Sequence, residues 1–212
     1  MNIYTDRCIK REKAINTWLK KNNAGIYLEK LQQLLASLPR QALLIEFTES
    51  IKTAIKFCTE HPEIHALDYQ WDASGGCAFA YGLDGYTGED SFSNSDLGPK
   101  ELPPLESNIE HEDLIEEDFS DLSVFNSLNL LTNNLEDGVS NAITQKNIPE
   151  DSYQLLVDIC NIFNYKIAIE ACEKNKIIFD ALQPEKVFYI TMTSLGRWPV
   201  PIAKIPSSSD KL

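Results

Sequence analysis

The 212-residue sequence predicts an α+β fold: a helical N-terminal part, then a small antiparallel sheet of about four strands with helices packed on it. Three observations point there. Apolar residues recur at helical spacing through the first 60 positions. "ALDYQWD" (66–72) then alternates strictly, with turn-forming "ASGG" and a second apolar run "CAFAYGL" (77–83) behind it. The aromatic, β-branched "KVFYITMTS" (186–194) and "WPVPIAKI" (198–205) close the chain around a Gly196 turn. Period 3.6 argues helix and period 2 argues a strand with one wet face.

Taken in order, Ile15, Trp18 and Leu19 predict a first helix, stopped by "KNNAG" (21–25) with Gly25 as its cap. A second runs through Tyr27, Leu28, Leu31, Leu34, Leu35 and Leu38 until Pro39 ends it. Leu44, Phe47, Ile51, Ile55 and Cys58 form the stripe of a third, which stops before Pro62. Two hairpins follow from the strand pairs. Pro199 and Pro201 lack an N–H, so the last strand belongs at a sheet edge. Between the hairpins, "DGYTGEDSFSNSDLGPKELPP" reads as a long polar loop. Ser107 with Glu110 fits a capping box, predicting a short helix with Ile109, Ile115 and Phe119 turned inward. Helical spacing continues through Phe125, Leu128, Leu131, Leu135 and Val139. Pro149 opens the strongest helix, "EDSYQLLVDICNIFNYKIAIEACEKN". The parts are then 1–60 (helical) and 61–205 (α+β, with an acidic loop and helix at 84–121). Together they make one compact domain with a flexible tail, 206–212.

The net charge of −13 is unevenly spread. Residues 1–56 carry ten basic and five acidic side chains, whereas 84–121 carry thirteen acids against Lys100 alone, a net of −12. Such a surface repels nucleic acid and anionic membranes and attracts cationic proteins. No run approaches the roughly 18 apolar residues of a membrane span. "MNIYTDRCIKREK" lacks the apolar core of a secretory signal, which predicts a cytoplasmic protein.

Few catalytic chemistries find a foothold. In "HPEIH" (61–65) the glutamate is displaced from its place in H-E-x-x-H, and Pro62 breaks the helix that would carry both histidines. "GLDGYTGED" lacks the alternating oxygen ligands of a calcium loop. Phosphate-binding glycine loops are absent. Cys8, Cys58, Cys77, Cys160 and Cys172 show no paired spacing and read as buried free thiols. Cys77 with His65 across the first hairpin is a conceivable nucleophile pair. No cofactor, metal or catalytic residue is assigned. The aromatics Trp71, Tyr81 and Trp198 read as sheet-face packing.

The acidic stretch is the remaining candidate. "LESNIEHEDLIEEDFSDL" (105–122) holds eight carboxylates, interleaved with Ile109, Leu114, Ile115, Phe119 and Leu122 that could anchor it. A solvated charged face is one meaning of such a run. A docking surface is the other, built from Asp84, Glu89, Asp90, Glu110, Glu112, Asp113, Glu116, Glu117 and Asp118. The partner would be a basic protein, and homo-oligomerisation is compatible with the same features.

The order of elements, with "HALDYQWDASGGCAFAYG" and the terminal "VFYITMTSLGRWPVPI", resembles the small cytosolic immunity proteins of bacterial toxin systems, polymorphic and contact-dependent ones among them. The resemblance covers 60–205 in outline and transfers no family residues. It implies a non-enzymatic acidic protein that neutralises a cognate toxin domain. The alternatives are a hydrolase-type enzyme with a carboxylate-based site, in a pocket between the helical part and the sheet, or a scaffold or assembly subunit.

Overall fold

The computed structural model describes residues 2–72, 77–87, 91–93, 99–112, 114–122, 138–139, 141–182, 184–194 and 197–208. Helix α1 (Ile3–Lys21) starts where the Asn2 side chain accepts the Tyr4 N–H at 2.9 Å. Asp6 lies in its first turn and Lys20 and Lys21 in its last, complementing the helix dipole. Its buried stripe is Tyr4, Cys8, Arg11, Ile15 and Leu19. Asn23 takes the left-handed conformation that ends the turn, at φ 62°. Gly25, expected as the cap, instead opens α2 (Gly25–Ser37). Helix α3 (Arg40–Glu60) follows Pro39 and stops ahead of Pro62. Both prolines act as expected.

Helix α4 (Asp151–Lys174) is the centre of the molecule: 15 of its 24 residues are buried, so it cannot be a one-sided surface helix. It packs against α1, α2 and α3 and also meets the sheet. Lys166 pairs with Glu12 of α1, and Glu170 pairs with Arg40 of α3. A single turn, α5 (Lys176–Phe179), ends this region, and residues 138–139 and 141–146 are also helical.

The main sheet has five strands in the order β7-β2-β1-β8-β9. These are β1 (Ala66–Asp72), β2 (Cys77–Leu83), β7 (Leu114–Leu122), β8 (Phe188–Ser194) and β9 (Val200–Ile205). Both expected hairpins form, β1 with β2 and β8 with β9, and the proline-bearing β9 lies at an edge. Two expectations are corrected. The sheet is mixed, because β1 and β8 run parallel. The segment expected as a helix after Ser107 supplies the fifth strand, β7, antiparallel to β2 with Leu122 opposite Ala78 and Leu114 opposite Leu83. Backbone groups of β2 that a four-stranded sheet would leave exposed are thereby paired.

One face of the sheet is the core. Leu67, Tyr69, Trp71, Ala78, Ala80, Phe188, Ile190 and Met192 join the helices in one buried cluster. Phe47 of α3 packs on Tyr69 with ring centroids 5.0 Å apart, and Trp71 Nε1–H donates to Asn161 Oδ1 of α4 at 3.0 Å. Both parts of the chain thus share one core. The tail is held through Ser208, whose N–H donates to the Pro184 carbonyl, while Ser207 is buried. Flexibility was expected from 206 onward; positions 209–212 lie outside the described residues.

Candidate functional site

The loop after β2 folds back on itself as an antiparallel ribbon. Its two short ladders are β3 (Tyr86–Thr87) with β6 (Glu110–His111), and β4 (Phe92–Ser93) with β5 (Glu106–Ser107). Asn108 closes the gap between them, donating its N–H to the Ser91 carbonyl and its side-chain amide to Ser91 Oγ. Leu102, Leu105 and Ile109 are buried and give this polar stretch its anchors. The expected capping box is absent because Ser107 is bound elsewhere. Its N–H and hydroxyl both donate to the Pro199 carbonyl, at 2.9 and 3.2 Å, fixing the ribbon to the start of β9.

The acidic docking residues divide into groups. Asp84 and Glu110 are exposed on the ribbon, together with Glu101. Glu112 is half-buried, and its N–H donates to the Gly85 carbonyl at 3.1 Å. Glu116, Glu117 and Asp118 fall in β7, with Glu116 opposite Gly82. They do not form the helical carboxylate face that was expected. Glu89, Asp90 and Asp113 lie outside the described residues.

Two buried polar clusters hold the ribbon in place, and sequence reasoning did not single out either. In the first, Asp158 of α4 accepts from Arg11 Nη2 at 2.9 Å and from Arg197 Nη2 at 2.5 Å. Arg197 also reaches Glu106 Oε1 at 3.3 Å, Trp198 N–H donates to Glu106 Oε2, and Arg11 Nη1 donates to the Pro103 carbonyl. The quartet is charge-balanced and nearly solvent-free, which a buried ion set requires. Burial pushes the Glu106 carboxyl above its ordinary value, opposed by the Arg197 charge and the Trp198 N–H. A signal was present: Arg11 interrupts the apolar stripe of α1 between Cys8 and Ile15, and Asp158 interrupts "LLVDICNIF". A charge at a core position needs a partner.

The second cluster sits on the sheet face away from the helices. Asp68, expected on a wet face, is fully buried. Its Oδ1 accepts from Thr191 Oγ1 at 2.5 Å and Thr193 Oγ1 at 2.8 Å. Tyr86 of the ribbon covers this group, its phenol within 2.5 Å of Thr191 Oγ1 and its ring edge-on to Tyr189 at 5.7 Å. Desolvation, and then the Asp68 charge, push the Tyr86 phenol well above its usual range.

Reactive chemistry finds little support in the geometry. His65 and Cys77 fall at opposite ends of the β1–β2 ladder, since His65 N–H meets the Leu83 carbonyl while Cys77 pairs with Asp72. Six residues of strand separate these rungs by about 20 Å. His61 stacks on Phe57 and reaches Glu63 Oε1 at 3.2 Å. Cys8, Cys58, Cys160 and Cys172 are buried free thiols, and desolvation pushes the first three up to about 12, away from thiolate reactivity. Among the described residues no cluster of three or more His, Cys, Asp or Glu side chains could hold a metal ion, and no helix is long and apolar enough to cross a membrane. A cleft of roughly 940 Å³ opens between the start of α1, the end of α4 and β9, with Glu173, Lys176, Asp180 and Lys204 among the residues that line it.

Comparison with known protein families, with curated proteins and with solved structures returns no match for this chain.

Proposed function

We propose that the chain is a non-enzymatic acidic binding protein that neutralises a basic protein partner, a bacterial toxin domain being the kind of partner its charge and element order fit. The observation that carries this is the ribbon. Its segment, 84–112, holds eight acids against Lys100 alone, a net of −7, and Asp84, Glu101 and Glu110 are exposed. At the same time, buried anchors and two polar clusters fix its backbone to the scaffold. A solvated linker has no use for such fixation. Pre-ordering lowers the entropy lost on binding, and a fixed anionic field steers a cationic partner. The buried carboxylates weigh against the hydrolase alternative, because Asp158 is already held by two guanidiniums and Glu106 by one.

The test is kinetic. The partner is isolated by affinity purification from the native cell, and association is then measured against salt for the wild type and for Asp84→Lys with Glu110→Lys. The pair should slow association by about tenfold at low salt and flatten its salt dependence, with dissociation little changed. Unchanged association kinetics sinks the assignment of this surface.

A further inference from the structure

Trp198, expected as sheet-face packing, stands in the turn between β8 and β9 and is 41% exposed. It belongs neither to the core cluster nor to the side chains packed against it. The other exposed large apolar side chains of the described residues are isoleucines and a leucine, all on helices. A single exposed apolar residue is ordinary. What sets Trp198 apart is a backbone held on both sides while the indole is left out. Arg197 N–H donates to the Ser194 carbonyl, and its guanidinium is locked between Asp158 and Glu106. Trp198 N–H donates to Glu106 Oε2, and the Pro199 carbonyl accepts from Ser107. The turn is therefore bound to the acidic ribbon itself. Chain length keeps Glu110 within about 11 Å of Ser107 and Glu101 within about 18 Å of Glu106. A standard interface covers about 800 Å² on each partner, a disc about 32 Å across, so a footprint over the indole takes in Glu110 and reaches toward Glu101. Neighbouring cations do not cancel these acids. The Arg197 side chain is buried and paired, and Lys100 is the one base in 84–112 against eight acids.

We propose that Trp198 is the anchor of the interface with the basic protein partner and takes an arginine or lysine side chain of that partner against its indole face. This rests on the binding function proposed above and adds the residue that sets the lifetime of the complex. Of the aromatic rings, indole attracts a cation most strongly, and a ring on a fixed backbone loses little freedom on binding. Acids on the ribbon set how fast the partner arrives, whereas the desolvated ring sets how slowly it leaves.

The first measurement uses a nona-arginine peptide as probe and acrylamide quenching of the intrinsic fluorescence. Trp71 is 1% exposed and Trp18 is half-buried against the core, so the most quenchable emission belongs to Trp198 and should disappear in Trp198→Phe. Saturating nona-arginine at low salt should cut the quenching of Trp198 about twofold or more, and nona-glutamate should leave it unchanged. The second measurement uses the basic partner isolated from the native cell. Trp198→Ala should raise its dissociation rate about tenfold with association unchanged, and Trp198→Phe, which keeps a ring, should raise it less. Far-UV circular dichroism of both variants should match the wild type, because the indole lies outside the core. Nona-arginine that leaves Trp198 quenchable, or release that Trp198→Ala does not quicken, overturns the anchor and leaves the binding function of the ribbon standing. Faster release from Trp198→Ala, alongside association that Asp84→Lys with Glu110→Lys does not slow, overturns the function of the ribbon and keeps the anchor. An acidic protein, or a second copy of this chain, found to be what shields Trp198 overturns the proposal.

Discussion

Replacing Asp158 by Asn tests whether the buried quartet holds the ribbon to the helices. Arg11, Asp158, Glu106 and Arg197 sum to zero charge, and side-chain exposure at Arg11, Asp158 and Arg197 is 4%, 7% and 3%. The amide keeps the shape but leaves a net positive charge buried, and turns an N–H toward one of the two guanidiniums. Breaking a buried pair this way costs about 3–5 kcal/mol, far above the few tenths typical of an exposed pair. Against a whole-domain stability of about 5–15 kcal/mol that is a large fraction. At about 2–4 °C per kcal/mol for a chain of this size, the midpoint should fall by about 6–20 °C. Urea titration followed by circular dichroism measures it, and an unaltered slope would show that the unfolded state is not the cause. Amide exchange at 105–107 should quicken in parallel, because Arg197, which holds Glu106, loses its own anchor on α4. A loss under about 1 kcal/mol, or unchanged exchange there, would refute the claim that the quartet is the clamp.

Tyr86→Phe removes the phenol that meets Thr191 Oγ1 and the Leu67 carbonyl, so amide exchange across 85–87 and 110–112 should accelerate for a stability loss of about 1 kcal/mol. Trp71→Phe strands Asn161 Oδ1 without its indole donor in the core; a loss of about 1–3 kcal/mol is expected in urea titration. The pH dependence separates two carboxylates of opposite sign. Glu106 is raised by burial, so the folded state binds its proton more readily; wild type should gain stability relative to Glu106→Gln as pH falls from the folded value toward 4.5. Glu170 is lowered by Arg40 and Lys174, so its contribution is full above 4.5; the wild-type advantage over Glu170→Gln should vanish as pH falls through the depressed value. Paired urea titrations across that range read both, and slopes of the same sign would contradict the assignment.

Periodicity made α1 to α4, both hairpins and the edge position of β9 legible, because each has a long run of one period and a proline or turn at its border. The buried charges were half-visible. Arg11 and Asp158 are polar residues in apolar stripes, a signal the sequence reading passed over, and their mutual contact depends on α1 and α4 packing together, which no local pattern states. Asp68 was misplaced for a related reason. Alternation correctly separated it from Leu67, Tyr69 and Trp71, yet the second face is covered by Tyr86, a residue of a loop whose path is set by its anchors on β8 and β9.

The stretch 105–122 failed most instructively. Its spacing of Ile115, Phe119 and Leu122 satisfies a helix, but "LIEEDFSDL" is also long enough for a strand, and short apolar spacings do not decide between the two. Tertiary demand decides: β2 needs a second partner, and the neighbouring segment supplies it. The outcome also changes what the acids mean. On a helix, crowded carboxylates would have no folding role, so their retention would argue for a partner. β7 is the outermost described strand of the sheet and holds four acids among nine residues, and acids in an edge strand discourage its backbone from pairing with another chain. Edge protection alone therefore accounts for Glu116, Glu117, Asp118 and Asp121. It does not account for Asp84, Glu101 and Glu110, which lie off that edge on a ribbon fixed by buried contacts. The case for a basic partner accordingly rests on those three, and charge reversal there, rather than on β7, is the informative substitution.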